Sequence, residues 1–467
     1  MSRHRSAFVA KAIRHLIRLR TDRRGNVTVM MGFILAPLIG ALGFGFEVSN
    51  WYLTTRSMQN AADAAAIAAA TNSGSNYDVE AKAVAAQYGF VDGSNNITVT
   101  ASNAAACPAG GNTCYSVTIT SLVPLFLSQV VGYRGNATVN GAPGQSLGAT
   151  AVATLATKQI PLCLLALGTS GAQDIVTNGN PKANMTGCNV MANTSAKCNG
   201  SNLGAPYGLA HGTDNGCGVV QVSGVPTVTD PFSSLASNIP PNAINSCGGS
   251  FPQAPSKHGD PALPNSNQWS GTGWPSGATP VPGYANTYVM CGDVQLTGGV
   301  TVNAPAGAVL IIENGQLDTN GNTLSTSSGS GLTVVFSGTN GGSYTHAPTS
   351  SVNNSGTLDI AAPTSGPWSG VAIYQDPSLT TGVNISAAGN SPTWDISGLV
   401  YLPHSSVTVS GAVNKSSNGE SCFVMVMDDI TINGTGDVLA GDTPANCAKA
   451  GLNMPKATIP GRGQLVS

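Results

Sequence analysis

The hydrophobic pattern changes character twice along the 467-residue chain. Residues 27–46, VTVMMGFILAPLIGALGFGF, form an uncharged and largely apolar run bounded by Val27 and Phe46. As a helix rising 1.5 Å per residue the run measures about 30 Å, the thickness of a bilayer's hydrocarbon core. It is apolar all round, unlike the one-sided stripe of a helix on a soluble core. A small-residue site near Ala41-Leu42-Gly43 would suit signal cleavage, but signal peptides have apolar runs of only roughly 7–15 residues. The pattern therefore predicts a retained membrane anchor.

Beyond Glu47 the pattern becomes helical and small. Residues 55–70 are rich in alanine, a strong helix former. Arg56, Asn60 and Asp63 form one polar stripe, beside Gln59, while Ala62 and Ala65 belong to a smooth face that lets helices approach closely. This predicts a helix interface at Arg56, Gln59, Asn60, Ala62, Asp63 and Ala65; packing on the chain's own domain is the alternative. Trp51 and Tyr52 stand where an interfacial aromatic belt belongs. Residues 78–88 read as a helix, 97–101 and 115–120 as strands of period two, and 122–132 as a second helix. An alternating tail to Leu155 completes a small α+β module.

From residue 159 short apolar runs of three to five residues recur between Gly and Asn turns, such as 309–312, 332–336, 371–374, 399–402 and 430–432. Asn320-Gly321 and Asn433-Gly434 supply positive-φ corners at low steric cost. Short strands at irregular spacing predict the coils of a parallel β-helix, with a β-sandwich as the alternative. Residues 230–284, rich in proline, read as an extended excursion between two β parts.

Composition and charge sharpen this division. Only 9% of residues are charged and the net charge is −2, yet 41% are hydrophobic, which excludes a wholly disordered chain. Glycine, at 58 residues, follows no three-residue period, so the chain is not collagenous. Residues 1–24 carry eight Lys/Arg against Asp22 alone, whereas residues 159–467 carry seven basic and fifteen acidic residues. A cationic arm before an apolar span predicts a cytoplasmic N-terminus, with everything after Phe46 outside; the span explains the arm better than a nucleic-acid tail does. All ten cysteines follow the span: Cys107, Cys114, Cys163, Cys188, Cys198, Cys217, Cys247, Cys291, Cys422 and Cys447. An even number on an exported part predicts disulfides, and sequence neighbours suggest pairing in the order given.

Arg24-Gly25-Asn26, the apolar span, Glu47, Trp51-Tyr52 and then Gln59-Asn60-Ala61-Ala62-Asp63-Ala64-Ala65-Ala66 resemble the TadE/TadG-like family, whose members serve the assembly of tight-adherence (Flp-type) pili. The resemblance covers residues 20–70. Phrases such as Ala362-Pro363-Thr364-Ser365-Gly366-Pro367-Trp368 and Ser397-Gly398-Leu399-Val400-Tyr401 resemble the C-terminal parts of TadG-like proteins. Prepilins are cut before a residue five positions ahead of a glutamate. Here the fifth residue after Gly25 is Met30, and Glu47 stands at the far end of the span, so the resemblance implies an uncleaved TadG-like anchor.

Candidate chemistry is sparse. Asp376-Pro377-Ser378-Leu379-Thr380 is similar to the metal-site loop of von Willebrand A domains, but the following sequence is strand-like and the loop reads as a turn. Asp428, Asp429, Asp437 and Asp442 could suggest acid–base or Ca²⁺ chemistry; adjacent Asp428 and Asp429 would point to opposite faces of a strand. His211, His258, His346 and His404 lack metal spacing, and no nucleophile, zinc or nucleotide motif occurs.

The sequence thus predicts an α+β chain: a basic arm (1–24), a transmembrane helix with an Ala-rich extension (25–75), a pilin-like α+β module (76–158) and a β-rich region (159–467). The expected function is that of a non-enzymatic structural component of pilus assembly or surface attachment, single-pass in a bacterial inner membrane, with pilus-assembly proteins as partners and no cofactor, metal or nucleic acid. The alternatives are an exported carbohydrate-active β-helix enzyme, and an adhesin presenting Trp368, Tyr374 and Trp394 as a row of exposed aromatics.

Overall fold

The computed structural model describes residues 25–107, 113–179, 181–185, 187–200, 202–241, 243–255, 261–349, 356–385, 393–410, 413–414, 422–434, 437–440 and 444–466. The basic arm, His258 and Asp442 lie outside the described residues. The chain divides into two compact units, one of residues 1–157 with 460–467 and one of residues 158–459.

The first unit starts with α1 (Gly25–Asn72), a continuous helix through Pro37, followed by α2 (Tyr77–Gln87). The strands β1 (Ile97–Ala105), β2 (Cys114–Pro124), β3 (Ala137–Val139) and β4 (Ala142–Ala166) follow. All pair antiparallel: Val99 with Ile119 between β1 and β2, and Val117 with Ala151 between β2 and β4. Alternation decides which face is buried. Ile97, Val99, Val117, Ile119, Leu147, Ala149, Ala151 and Ala153 turn inward and meet Met58, Ala61, Ala62, Ala65, Ala66 and Ala69 of α1. Small residues on both sides bring helix and sheet backbones close. Gln59 ties the two together, its Nε2 donating to Asp63 Oδ1 (2.8 Å) and to the Thr150 carbonyl (3.2 Å).

Two sequence expectations are corrected here. Residues 122–132 are not a helix: β2 runs to Pro124, and only Ser128–Val131 makes a 3₁₀ turn. The apolar Leu122 and Val123 belong to the ladder with β4, opposite Ser146 and Gln145. The expected β region of 159–467 also ends too late. The strand Lys456–Leu465 pairs with β4, and from Pro460 on it groups with the first unit; the Val466 N–H donates to the Val152 carbonyl at 2.9 Å.

The second unit is built from parallel ladders. In the longest, Thr287–Cys291 pairs with Ala308–Glu313, then Leu332–Ser337, then Val371–Gln375, then residues 399–401 and then 424–426. Residues 425–427 pair in turn with 164–166 of β4, far earlier in the chain, followed by Asn189–Ala192, Tyr207–Ala210 and Val220–Val222. A second ladder joins Val383–Ile385, 407–409, 430–432, Ile175–Gly179 and Ala196–Cys198. A third runs from Gln268–Gly271 through Val294–Val302, Thr323–Thr326 and Thr357–Ala361 to 393–397. Strands of the first ladder such as Ala308–Glu313 and Leu332–Ser337 are buried at every position, the pattern of a parallel sheet covered on both sides.

Residues 225–241 and 243–255 run along this unit as a strap. Asn193 holds its start through paired bonds with Val228 (2.8 and 3.0 Å). The Tyr401 hydroxyl donates to Asp230 (2.6 Å), and Phe232 meets the Tyr401 ring edge-on. Asn238 donates to the Pro367 carbonyl (2.7 Å), Cys247 is bonded to Cys291, and Ala254 N–H donates to Asp293 (2.7 Å). The extended excursion is thus pinned, and the ladders resume at Gln268, before the expected limit of 284. The other disulfides are Cys107–Cys114, Cys163–Cys188, Cys198–Cys217 and Cys422–Cys447.

Candidate functional site: the helix junction at Glu47

The side chains of residues 30–35 and 37–39 of α1 are exposed throughout. Met30, Phe33, Leu38, Leu42 and Phe46 are all exposed, and α1 is the one helix among the described residues that is long and apolar enough to cross a membrane. Burying that surface in hydrocarbon would offset the cost of leaving it in water, about 25 cal/mol per Å².

The helix changes surroundings around Glu47. Phe44, Trp51 and Tyr133 form a ring cluster with centroids 5.9–6.4 Å apart. Glu47, although charged, is buried, and its carboxylate faces the segment after β2. Oε1 accepts the N–H groups of Phe126 (2.7 Å) and Leu127 (2.6 Å), and Oε2 accepts that of Ser128 (3.1 Å). These donors are the free N–H groups at the start of the 3₁₀ turn, and a carboxylate is the natural acceptor for them. Two glycines one and two turns below Glu47 admit the same segment. A Cβ on Gly43 would stand 2.7 Å from Leu127 Cβ, and one on Gly40 2.5 Å from Val131 Cγ1. The sequence places Glu47 at the far end of the span; its tether to a segment 79 residues away has no local sequence signal.

The predicted helix interface is divided by the fold. Ala62 and Ala65 are fully buried under the chain's own strands and are not open to a second molecule. Their small side chains serve the sheet, which explains the alanine-rich run without an intermolecular role. Gln59 and Asp63 are half-buried and bonded to each other, while Arg56 and Asn60 are exposed. Arg56 lies over the Tyr52 ring at 5.8 Å. The open stripe is therefore Tyr52, Arg56 and Asn60, with Leu53 beside it.

Residues 25–72, the whole of α1, match the model of the Flp pilus-assembly TadE/G-like family. This helix is similar to the segment that defines that family. No curated protein matches the chain, and no solved structure does. The TadE/G-like helix thus comprises both the unpacked apolar stretch and the Glu47 junction, and the family match stops where α1 stops.

The remaining sequence candidates lie in the second unit. Asp376 Oδ1 accepts the Ser378 N–H (2.9 Å) and hydroxyl (2.8 Å), closing the loop on itself as a turn. Asp428 lines an open cleft with His211, His404 and Asp230, a grouping of residues from four distant stretches that spacing does not reveal. Burial and neighbouring Asp429 push the Asp428 carboxyl up. Asp429 instead accepts the Ser406 hydroxyl, and Asp437 lies in the strand Asp437–Ala440. His346 is buried, bonded through Nε2 to Asn340 (2.6 Å). Trp368, Tyr374 and Trp394 are buried rather than exposed, because they fill the ladders' interior: Tyr374 stacks on Tyr401 at 5.1 Å and meets Trp368 edge-on. Trp269, Trp274 and Tyr288 do stack in series, but against one another, at 5.5 and 4.6 Å. No group of three His, Cys, Asp or Glu side chains among the described residues is placed to hold a metal.

Proposed function

We propose that the chain is a membrane-anchored structural component of tight-adherence pilus assembly or surface attachment. The supporting observation is the coincidence of the family match, residues 25–72, with a helix that exposes a long apolar stretch ahead of Gly40. In this reading residues 27–46 cross a bacterial inner membrane once, the basic arm stays in the cytoplasm, and the pilin-like first unit and the disulfide-braced second unit lie outside. The parallel ladders act as coils of a β-helix, an elongated scaffold that works by contact and not by catalysis. Pilus-assembly proteins dock on the open stripe of Tyr52, Arg56 and Asn60, where a cation over an aromatic ring offers both charge and apolar area.

Counting pili and surface-attached cells in a strain lacking the chain tests the reading. Loss of pili is the expected result, and exchange of Tyr52 for Ala with Arg56 for Glu should reproduce it while the protein remains in the membrane. Normal piliation after deletion would favour an exported carbohydrate-active protein instead.

A further inference from the structure

We infer that residues 126–131 are a lipid-inserted wedge, a second membrane contact that enters the acyl region of the bilayer beside α1. The inference rests on the proposal that residues 27–46 span the membrane. Four observations support it. Depth comes first: Leu127 lies against Gly43 and Val131 against Gly40. These glycines are three and six residues inside Phe46, or about 5 and 9 Å below the outer end of the span at 1.5 Å per residue.

Surface chemistry comes second. Residues 125–133, LFLSQVVGY, carry no charge, and Arg134 follows them immediately. Phe126 and Val130 are 72% and 75% exposed, and Val131 is 51% exposed, so apart from Gln129 the exposed side chains of residues 126–131 are apolar. Ile39, Leu42 and Phe46 of the span, each one residue before Gly40, Gly43 or Glu47, are exposed and apolar as well.

Third, non-helical backbone is tolerated at membrane depth only where its polar groups are satisfied. Glu47 accepts three consecutive N–H groups here. Within the turn, Val130 N–H donates to the Leu127 carbonyl (3.1 Å), Gly132 N–H to Gln129 (3.0 Å) and Tyr133 N–H to Ser128 (3.1 Å). The Gln129 side-chain amide is turned back onto the Leu125 carbonyl. Fourth, the segment leaves this depth through Tyr133, which joins Phe44 and Trp51 in the kind of aromatic cluster that marks a headgroup boundary. Arg134 is then placed for lipid phosphates. A soluble domain would not expose such a loop; a lipid surface is the partner whose chemistry it matches.

The test uses the full chain in lipid nanodiscs, with a nitroxide attached at V130C and the collision ratio of oxygen to a nickel chelate read by power saturation. L38C reports the span and N103C, on β1, reports water. The expected ratio at Val130 is several-fold above that at Asn103 and approaches that at Leu38. A water-like ratio at Val130 with a lipid-like ratio at Leu38 overturns the wedge and leaves the anchor standing. Water-like ratios at both positions overturn the membrane reading itself. Shielding of Val130 from both reagents means that protein covers the loop, which also refutes a lipid contact. In the E47Q background the Val130 ratio should drop toward the aqueous value, since an amide oxygen cannot replace a carboxylate holding three N–H groups. An unchanged ratio there would show that Glu47 does not position the wedge.

Discussion

Glu313 ends the strand Ala308–Glu313 with its side chain fully buried, and neither carboxylate oxygen has a hydrogen-bond partner among the described residues. Burial, reinforced by the charge of Asp376, pushes its pKa from the ordinary 4.5 up to about 7. The folded protein therefore keeps this proton up to about pH 7, while the unfolded chain releases it near pH 4.5. An acid whose pKa is raised on folding makes the folded state bind more protons, so stability falls as pH rises through that window and levels off above it. The shift of about 2.5 units at 1.36 kcal/mol each is worth about 3 kcal/mol. Glu313→Gln removes the titration. Urea unfolding with the disulfides intact should give similar midpoints for the two proteins at pH 4.5. At pH 8 the variant should be the more stable by up to about 3 kcal/mol. Asp214, pushed by burial up to about 6, contributes in the same direction to both proteins and cancels in the comparison. A constant difference between them from pH 4.5 to 8 would refute the assignment.

Four further variants probe the fold. Ala65→Leu adds volume under the first unit's sheet and should lower its stability by about 1–3 kcal/mol, seen as a lower urea midpoint for that unit; an unchanged midpoint would mean the face is open after all. Asn314, at φ +50°, accepts the N–H groups of Thr339 and Asn340, so Asn314→Ala should cost about 2–4 kcal/mol, while Asn314→Gly, free of the strain, should recover about 1 kcal/mol of it in the same assay. Removing the Cys247–Cys291 bond, which closes a separation of 44 residues, by a double exchange to Ser should cost about 4 kcal/mol by chain entropy; calorimetry should show a lowered Tm for the second unit, and proteolysis should first cut the strap.

Much of the local structure is legible in the sequence. The 20-residue uncharged run reads as a helix because its length and apolarity fit a bilayer, where Pro37 and the glycines are tolerated, and the strands at Ile97 and Tyr115 carry their own alternation. The disulfide partners are neighbours along the chain, so proximity suggested them. What no local pattern records is which strand lies on which. Val426 pairs with Leu165 across some 260 residues, and both are simply apolar positions in short runs. The same applies to Glu47 and the turn it holds. The face at Ala62 and Ala65 leaves an intermolecular contact and packing on the chain's own domain both open, because an alanine surface suits a helix and a sheet of small residues equally well; the alternation of Ala149, Ala151 and Ala153 is the available clue.

The pairing of the late strand Lys456–Leu465 with β4 governs the timetable of folding as much as the finished fold. Ribosomes deliver β4 some three hundred residues before its partner, and residues 164–166 likewise wait for 425–427. During that interval β4 has an open edge, and such edges invite pairing with other chains. A ribosome that stalls anywhere before the last strand leaves behind a product with that edge uncovered. The strand Lys456–Leu465 therefore closes an edge that stays open until synthesis has passed residue 465.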